Sequence, residues 1–129
     1  MSYRVVSEIL GFKETKEVVI EPIDDLFSKM SDTNDKNISF TLVNPYLLRE
    51  YGFDLPQDMK KLLEINDNTN ISVYNILLIQ KPLEKSTINF LAPIVVNNDN
   101  KTLAQVVLEP KENPDFGMAE RIEFFKAQE

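Results

Sequence analysis

The chain has 129 residues, 14 of them basic and 21 acidic, and a net charge of −7. A chain of this size holds one hydrophobic core, so we predict a single domain over residues 1–129. The sequence contains no cysteine and no histidine, which excludes disulfides, thiolate or imidazole metal ligands and histidine-assisted nucleophiles. Because its mean field repels phosphate, the charge also argues against direct nucleic-acid binding. We expect a protein that is not an enzyme and has no cofactor.

No targeting or membrane-spanning pattern is visible in the sequence. Residues 1–6 contain one arginine, and no long apolar run follows it. The longest apolar stretches, such as Ile76–Ile79, are far shorter than the roughly 20 residues that a transmembrane helix needs. We therefore expect a cytoplasmic protein that does not contact a membrane.

The first third of the chain predicts mostly short strands. Residues 3–10 are apolar and β-branched, and residues 17–20 follow a turn, so the two segments predict adjacent strands. Residues 24–30 place three apolar side chains at helical spacing, which predicts one or two turns of helix. Residues 38–43 alternate apolar and polar side chains and predict a strand with one buried face.

A helix and a β-hairpin are predicted after this. The helix starts at Asp54, whose side chain can cap it, and ends near Ile65. Residues 71–80 predict a long strand, and residues 87–97 a second one that pairs with residues 103–108. Pro93 lies inside the second strand and cannot donate to a sheet ladder, so it marks an edge or a bulge.

A terminal helical segment is predicted over residues 113–129, with the helix itself at 116–128. Met118, Ile122 and Phe125 are spaced to form one apolar face, and Phe124 adds an apolar group on another side. Part of this helix would cover a groove that a partner fills. The predicted fold is mainly β: a small antiparallel β-barrel-like domain with two or three short helices, including the C-terminal helix.

The segment 45–53 has the composition of a binding hot spot. It holds three aromatic side chains, two leucines and an arginine, and aromatic residues with arginine are enriched at such sites. The residues alone leave core and interface equally open for Tyr46 and Tyr51, and they favour the core for Phe53.

Two segments resemble a known family. Residues 87–97, continued by Lys101 and by 105–108, resemble the signature of the bacterial flagellar assembly factors: an Asn, then Ala-Pro followed by apolar residues and Asn. Asn-Pro-Tyr at 44–46 and the segment 51–56 resemble a second landmark of that family. The resemblance spans residues 8–108, although only Gly-Phe and one Ile remain of the Gly-Ile-Pro-Gly-Phe that members commonly have near the start.

The resemblance implies a small β-barrel-like binding protein without catalysis. Such a protein binds the C-terminal region of newly made flagellin in the cytoplasm. After flagellin is exported, it binds the carbon storage regulator, an RNA-binding dimer, and so relieves translational repression of flagellin. The resemblance and the terminal helix together mark these candidate partner-binding residues: Asn44, Pro45, Tyr46, Tyr51, Asp54, Asn89, Pro93 and Phe124.

Two other functions remain open from the residues. One is a small metal-dependent hydrolase that uses carboxylates such as Asp54, Asp58 and Glu64. The other is a β-barrel that binds a small ligand in its interior, although barrels with few strands are normally filled by their own side chains.

Overall fold

The computed structural model describes residues 1–126, which form nine strands and two short α-helices. Single turns of 3-10 helix lie at Pro45–Leu47 and Leu83–Lys85. The strands are β1 (Ser2–Ser7), β2 (Glu17–Pro22), β3 (Phe27–Asp32), β4 (Ser39–Val43), β5 (Ile71–Leu78), β6 (Thr87–Ile88), β7 (Ile94–Asn97), β8 (Thr102–Gln105) and β9 (Glu120–Arg121). The helices are α1 (Gln57–Leu63) and α2 (Glu123–Lys126).

Seven of the strands close into a barrel. They follow the order β4-β3-β2-β1-β8-β7-β5, and β5 pairs back onto β4. β6 and β9 continue the sheet from β5 outside this ring. The prediction of a small, mainly β barrel with short helices is confirmed. It needs one correction, because β1 and β8 pair in parallel, and a local pattern does not encode the direction in which distant strands meet.

The barrel interior is filled by buried side chains. Met30, Leu42 and Leu103 are fully buried there, and Phe40 and Ile76 pack against them half-buried. Two further apolar clusters lie outside the barrel wall. One joins α1 to β7 and β8, and the other joins residues 48–53 and 116–125 to β4 and β5. Segments that connect the strands therefore cover much of the outer face.

The predicted helix over 24–30 is wrong, because most of this segment belongs to β3. Five residue pairs join β3 to β2 and five join it to β4, which satisfies its backbone on both sides. The Asp24 carboxylate accepts the N–H groups of Leu26 and Phe27, at 2.9 and 2.7 Å, and closes the turn between β2 and β3. The three apolar residues contact two different clusters, one inside the barrel and one outside.

Helix α1 is confirmed, but its predicted cap is wrong. The helix starts at Gln57, Pro56 occupies the N-cap position, and no side chain caps this end. Asp54 lies further upstream and is exposed. At the other end Glu64 adopts a left-handed conformation, with φ of 57°, and the Asn97 amide donates to the Leu63 carbonyl at 2.7 Å.

The predicted long strand over 87–97 is two strands. β6 ends at Ile88 and β7 begins at Ile94, so residues 89–93 form the irregular connection between them. Pro93 lies directly before β7 and its carbonyl accepts the Val106 N–H at 2.9 Å. The proline therefore interrupts the strand, as its missing donor requires.

The predicted C-terminal helix is confirmed as α2, but its predicted extent of 116–128 is wrong, because the helix begins only at Glu123. Within the described residues this region forms β9 and then α2, which has four residues. Residues 127 and 128 lie outside the described part of the chain. Met118 is 69% exposed, whereas Ile122 is 2% exposed. Pairing of β9 with β6 replaces the helix that the spacing indicated. In residues 1–126 no helix combines the length and apolarity that crossing a bilayer requires.

Candidate partner-binding site

The barrel has a short seam between β4 and β5. Only three residue pairs join these strands, from Thr41–Leu77 to Val43–Asn75. Beyond Thr41, β4 pairs with β3 alone, while Leu78 pairs with Thr87 of β6. A cavity opens at each end of this seam.

The larger cavity is apolar and open to solvent, and we call it the apolar groove. Its volume is about 590 Å³. The side chains at its rim are unusually exposed for apolar groups: Leu78 by 63%, Ile23 by 62%, Leu10 by 57% and Ile79 by 54%. Large exposed apolar patches commonly mark interaction sites. The groove is lined by Ile9, Leu10, Phe12, Ile23, Lys29, Ser39, Phe40, Thr41, Ile76, Leu77, Leu78, Ile79 and Gln105.

One wall of the apolar groove is a tight turn held by the rest of the barrel. Gly11 has a φ of +85°, which favours glycine, and the turn brings Ile9 and Phe12 into a β-bridge. The Phe12 ring packs edge-on against Phe40, with centroids 4.8 Å apart. The Gln105 amide oxygen accepts the Leu10 N–H at 2.8 Å. These contacts give the groove a preformed wall.

The electrostatics of the apolar groove depend on Lys29. It is the one ionisable side chain among the described residues that line the groove. Lys29 is exposed and forms no salt bridge with any carboxylate in residues 1–126. In a protein with a net charge of −7, the groove combines an apolar surface with one lysine, and this lysine lies directly opposite the exposed Glu21 in the β2–β3 pairing.

The smaller cavity, which we call the tyrosine cleft, contains two of the predicted site residues. It has a volume of about 250 Å³ and is lined by Asn44 and Tyr46 together with residues 71–74 of β5. The Asn44 side chain accepts the Tyr46 N–H at 3.1 Å, and Pro45 is buried beneath the turn. Tyr46 itself is 54% exposed. Asn44 and Pro45 thus build the turn that presents Tyr46 at the surface.

Tyr51 belongs to the core. It is 8% exposed, its hydroxyl donates to the Phe90 carbonyl at 2.5 Å, and it accepts from the Asn75 amide at 3.3 Å. Burial raises the pKa of Tyr51 to about 12, because ionisation would place a charge where water cannot reach it. The Asn75 amide also donates to the Asn89 carbonyl at 2.9 Å. Tyr51 and Asn89 therefore hold the connection before β7 against β5.

Arg49 fastens the terminal segment, residues 116–125, to the core. Its guanidinium carbon lies 5.1, 5.0 and 5.9 Å from the ring centroids of Phe90, Phe116 and Phe125. It also pairs with the Glu120 carboxylate at 3.4 Å. Cation–π contacts at partly desolvated positions are worth about 1 kcal/mol each. Arg49, which suggested a binding hot spot in the sequence, therefore contacts aromatic rings and a carboxylate of the protein itself.

Gly117 allows this arrangement. Its N–H donates to the Glu120 carboxylate at 2.6 Å. A Cβ at Gly117 would lie 2.8 Å from Glu120 Cγ, too close for normal packing. A glycine here therefore lets the Glu120 side chain fold back far enough to meet Arg49.

The remaining predicted residues are dispersed. Pro93 is buried, and Asp54 borders an exposed cavity that also includes Glu112. Phe124 is 62% exposed, with the Arg121 guanidinium 5.7 Å from its ring centroid. Asn44, Pro45 and Tyr46 are brought together at the surface, and Tyr51 and Asn89 are joined in the core through the Asn75 amide. A role in partner binding stays a prediction for every residue of the set.

The apolar groove was missed in the sequence, although a signal was present. Ile76–Ile79 contains four consecutive apolar residues, where a strand with one solvated face would alternate. In a strand these four side chains point alternately to the two faces of the sheet. Either both faces are covered by other parts of the protein, or some of these apolar side chains are exposed. Its last two residues are exposed at the groove.

The carboxylates proposed for a metal site lie apart in the fold. Within residues 1–126, no group of three or more carboxylate side chains is placed to hold a metal ion. Asp54, Asp58 and Glu64 are exposed around α1.

Comparison with known proteins identifies the family. The model of the FliW protein family matches residues 2–122. The chain belongs to the FliW family. It is 50% identical over 125 residues to flagellar assembly factor FliW 2 of Wolinella succinogenes, covering 97% of this chain and 92% of the relative. It is 46% identical to flagellar assembly factor FliW of Sulfurimonas denitrificans, covering 97% and 98%. The resemblance stated from the sequence motifs is therefore confirmed.

A solved FliW structure has the same fold. A crystal structure of the flagellar assembly factor FliW superposes with a TM-score of 0.85 at 27% identity, covering 94% of this chain and 84% of that one. Membership of the FliW family makes this chain a flagellar assembly factor.

Proposed function

We propose that this flagellar assembly factor is a non-enzymatic cytoplasmic binding protein that alternates between two partners. One partner is the C-terminal region of flagellin. The other is the carbon storage regulator, whose repression of flagellin translation ends when it is bound. While flagellin awaits export it occupies the protein, and its departure frees the protein for the regulator.

The apolar groove is the observation that carries this proposal. A helical segment with an apolar face binds proteins by laying that face into a preformed apolar groove. The groove of about 590 Å³ has a fixed wall and an exposed apolar rim, which are features that such a segment requires. Its four exposed rim side chains would be desolvated on binding.

The charge of the whole protein supports the second partner. A net charge of −7 attracts a protein whose surface must be basic to hold RNA, while it repels the RNA itself. The proposal therefore needs no contact between this protein and nucleic acid.

A switch between two partners requires a negative coupling between their binding sites. Coupling is reciprocal: if flagellin lowers affinity for the regulator, the regulator must lower affinity for flagellin by the same factor. The two cavities at opposite ends of the β4–β5 seam share strands, which offers a short physical connection for such coupling.

Isothermal titration calorimetry tests the proposal. The purified protein is titrated into the carbon storage regulator, alone and after saturation with a C-terminal flagellin fragment. We expect binding to the regulator in the first titration and a large loss of it in the second. Failure of the protein to bind either partner would reject the proposed function and leave the fold assignment intact.

A further inference from the structure

We infer that the terminal segment is an intramolecular ligand, and that a partner segment of the same chemistry can displace it and bind in its place. The surface beneath it consists of the outer edge of β6 together with Phe90, Tyr51 and Arg49, and we call it the covered face. None of these residues lines the apolar groove. The inference does not depend on the partners named in the proposed function, because the occupant seated on this face is part of the chain itself.

The terminal segment lies outside the closed barrel. The ring of seven strands closes through β4 and β5 without β6 or β9. Among the described residues, the buried cluster inside the barrel contains none of residues 116–125. Two residue pairs join β9 to β6, Thr87–Arg121 and Ile88–Glu120. Departure of the terminal segment would therefore uncover the outer cluster but leave the ring and its interior paired and packed.

A short connecting segment, residues 109–115, can act as the hinge. All of it except Asn113 is exposed. The Glu112 N–H donates to the Glu109 carbonyl at 3.1 Å, and the Asn113 N–H donates to the Pro110 carbonyl at 3.2 Å. In the described part of the chain, every hydrogen bond of this segment lies within it or joins it to the terminal segment. Its movement therefore breaks no hydrogen bond to the barrel.

The covered face offers backbone groups that an extended chain can pair. The Ser86 carbonyl accepts the Ile122 N–H at 2.9 Å, and the Phe90 N–H donates to the Gly117 carbonyl at 3.0 Å. Buried backbone groups need such partners, and a strand added to a sheet edge supplies them whatever its side chains are. The occupant of this face must therefore be extended beside β6.

Side chains add a sequence requirement. Ile122 is 2% exposed in the outer cluster, and Glu120 pairs with Arg49 at 3.4 Å. Glu50 and Asp115 border the same cavity as Arg49, but among the described residues only Glu120 forms a salt bridge with it. An acidic residue two positions before a large apolar one therefore meets both the cation and the apolar cluster.

The terminal segment has the advantage of being tethered. A short flexible connection gives a tethered segment an effective concentration on the order of 1 mM. A free peptide that makes the same contacts should therefore displace half of the terminal segment at on the order of 1 mM. A partner that adds further contacts outside the covered face would displace it at a lower concentration.

A reversible covalent lock tests the inference. The chain has no cysteine, so a single disulfide can be introduced with Thr87→Cys and Arg121→Cys. Because Ser86 and Ile122 form a hydrogen-bonded pair, Thr87 and Arg121 form the next, non-hydrogen-bonded pair, whose Cα separation of about 4.5 Å suits a disulfide. The oxidised double variant holds the terminal segment closed, and the reduced one is its matched control. Circular dichroism verifies that both are folded.

Isotope-labelled full-length protein is titrated with a synthetic peptide of residues 114–126 and followed by NMR. In the unchanged protein and in the reduced variant, we expect the amide signals of residues 116–125 to move to the positions of a disordered chain, with a midpoint on the order of 1 mM. The signals of β1 to β4 should stay in place. The oxidised variant should not respond to the peptide.

Substitutions in the peptide test the required pattern without affecting the fold of the protein. Ile122→Ser in the peptide should raise the midpoint about tenfold, and Glu120→Gln should raise it several-fold. Met118→Ser and Phe124→Ser are the matched controls, because these side chains are 69% and 62% exposed. Both control peptides should displace the terminal segment like the unchanged peptide.

Three outcomes would overturn the inference. Unmoved signals of the terminal segment well above the expected midpoint would make it a permanent part of the core. A response of the oxidised variant equal to that of the reduced one would place the peptide elsewhere on the protein. A dimer of the unchanged protein, detected by sedimentation and absent from the oxidised variant, would assign the covered face to the terminal segment of a second copy.

Discussion

At the scale of single residues, Tyr46 and Tyr51 illustrate how position decides the role of an aromatic side chain. They are close in sequence and their rings lie 6.2 Å apart, yet Tyr46 is 54% exposed and Tyr51 is 8% exposed. Tyr51 also packs against Phe53, Phe90 and Phe116, with centroid distances of 5.5, 5.6 and 4.6 Å. Its ring supports the core and its hydroxyl is tied to the backbone of the next segment.

Tyr51→Phe should lower the free energy of unfolding by about 1–3 kcal/mol, because the Phe90 carbonyl loses a buried donor while the ring is kept. Tyr46→Phe, which removes a hydroxyl at the surface, should change it by less than about 0.5 kcal/mol. Urea unfolding followed by circular dichroism measures both. Equal effects of the two substitutions would contradict the role given to the Tyr51 hydrogen bond.

Tyr51 should also make stability depend on alkaline pH. Burial raises its pKa in the folded protein to about 12, above the ordinary value of about 10 that it regains on unfolding. The stabilisation is therefore complete below pH 10 and is lost as the pH rises from about 10 towards 12. Unfolding free energies measured across this range should fall less steeply in Tyr51→Phe than in the unchanged protein. If the unfolding free energies of the two proteins fell equally with pH, a raised pKa of Tyr51 in the folded state would be contradicted.

At the scale of elements, the terminal segment is a strap over the outer face of the barrel. β9 pairs with β6, the Ile122 N–H donates to the Ser86 carbonyl at 2.9 Å, and the Phe90 N–H donates to the Gly117 carbonyl at 3.0 Å. Ile122 is buried in the same cluster as Tyr51 and Phe90. The segment therefore completes the protein's own core, and its side chains Met118 and Phe124 remain exposed.

Ile122→Ala should destabilise the protein by about 2–4 kcal/mol, because the truncated side chain leaves a cavity in a packed cluster. Phe124→Ala, two positions away and 62% exposed, should have an effect within about 0.5 kcal/mol. Thermal and urea unfolding of the two variants provide the comparison. If Phe124→Ala lowered stability more than Ile122→Ala, the assignment of Ile122 as the buried side chain and Phe124 as the exposed one would be contradicted.

At the scale of the whole molecule, the proposed function assigns charge and shape to different partners. The net charge of −7 acts over the whole surface, whereas the apolar groove acts over a few side chains and one lysine. Long-range charge mainly raises the rate at which an oppositely charged protein arrives, while buried apolar contacts mainly slow its departure.

Association with the basic regulator should therefore depend strongly on salt. We expect its association rate constant to fall with rising ionic strength and to level off near 1 M, where the Debye length is about 3 Å. Binding of the flagellin peptide, dominated by apolar contact, should change much less. Surface plasmon resonance over a salt series measures both rate constants. A salt-independent association with the regulator would remove the electrostatic part of the proposed function.

The local sequence determined the strands in which apolar and polar residues alternate, as in β4. It also determined the interruption at Pro93, directly before β7. It also carried the motifs that identify the family, and the lack of histidine and cysteine limited the chemistry. It misassigned residues 24–30 as a helix, because apolar residues at helical spacing can also be divided between two clusters once a strand pairs on both sides. It began the terminal helix too early, because residues 120–121 pair with β6 as strand β9.

The tertiary structure alone decided which aromatic side chains are buried and where the apolar groove lies. The groove follows from the closure of the barrel, in which β4 and β5 meet over three residue pairs and then diverge. The burial of Tyr51 follows from the packing of Phe90 and Phe116 on the outer face of the barrel. The length of that seam is set by non-local pairing, which periodicity along the chain does not record. The family and the class of fold could therefore be inferred from residues and their order, whereas the apolar groove exists only after strands distant in sequence have met.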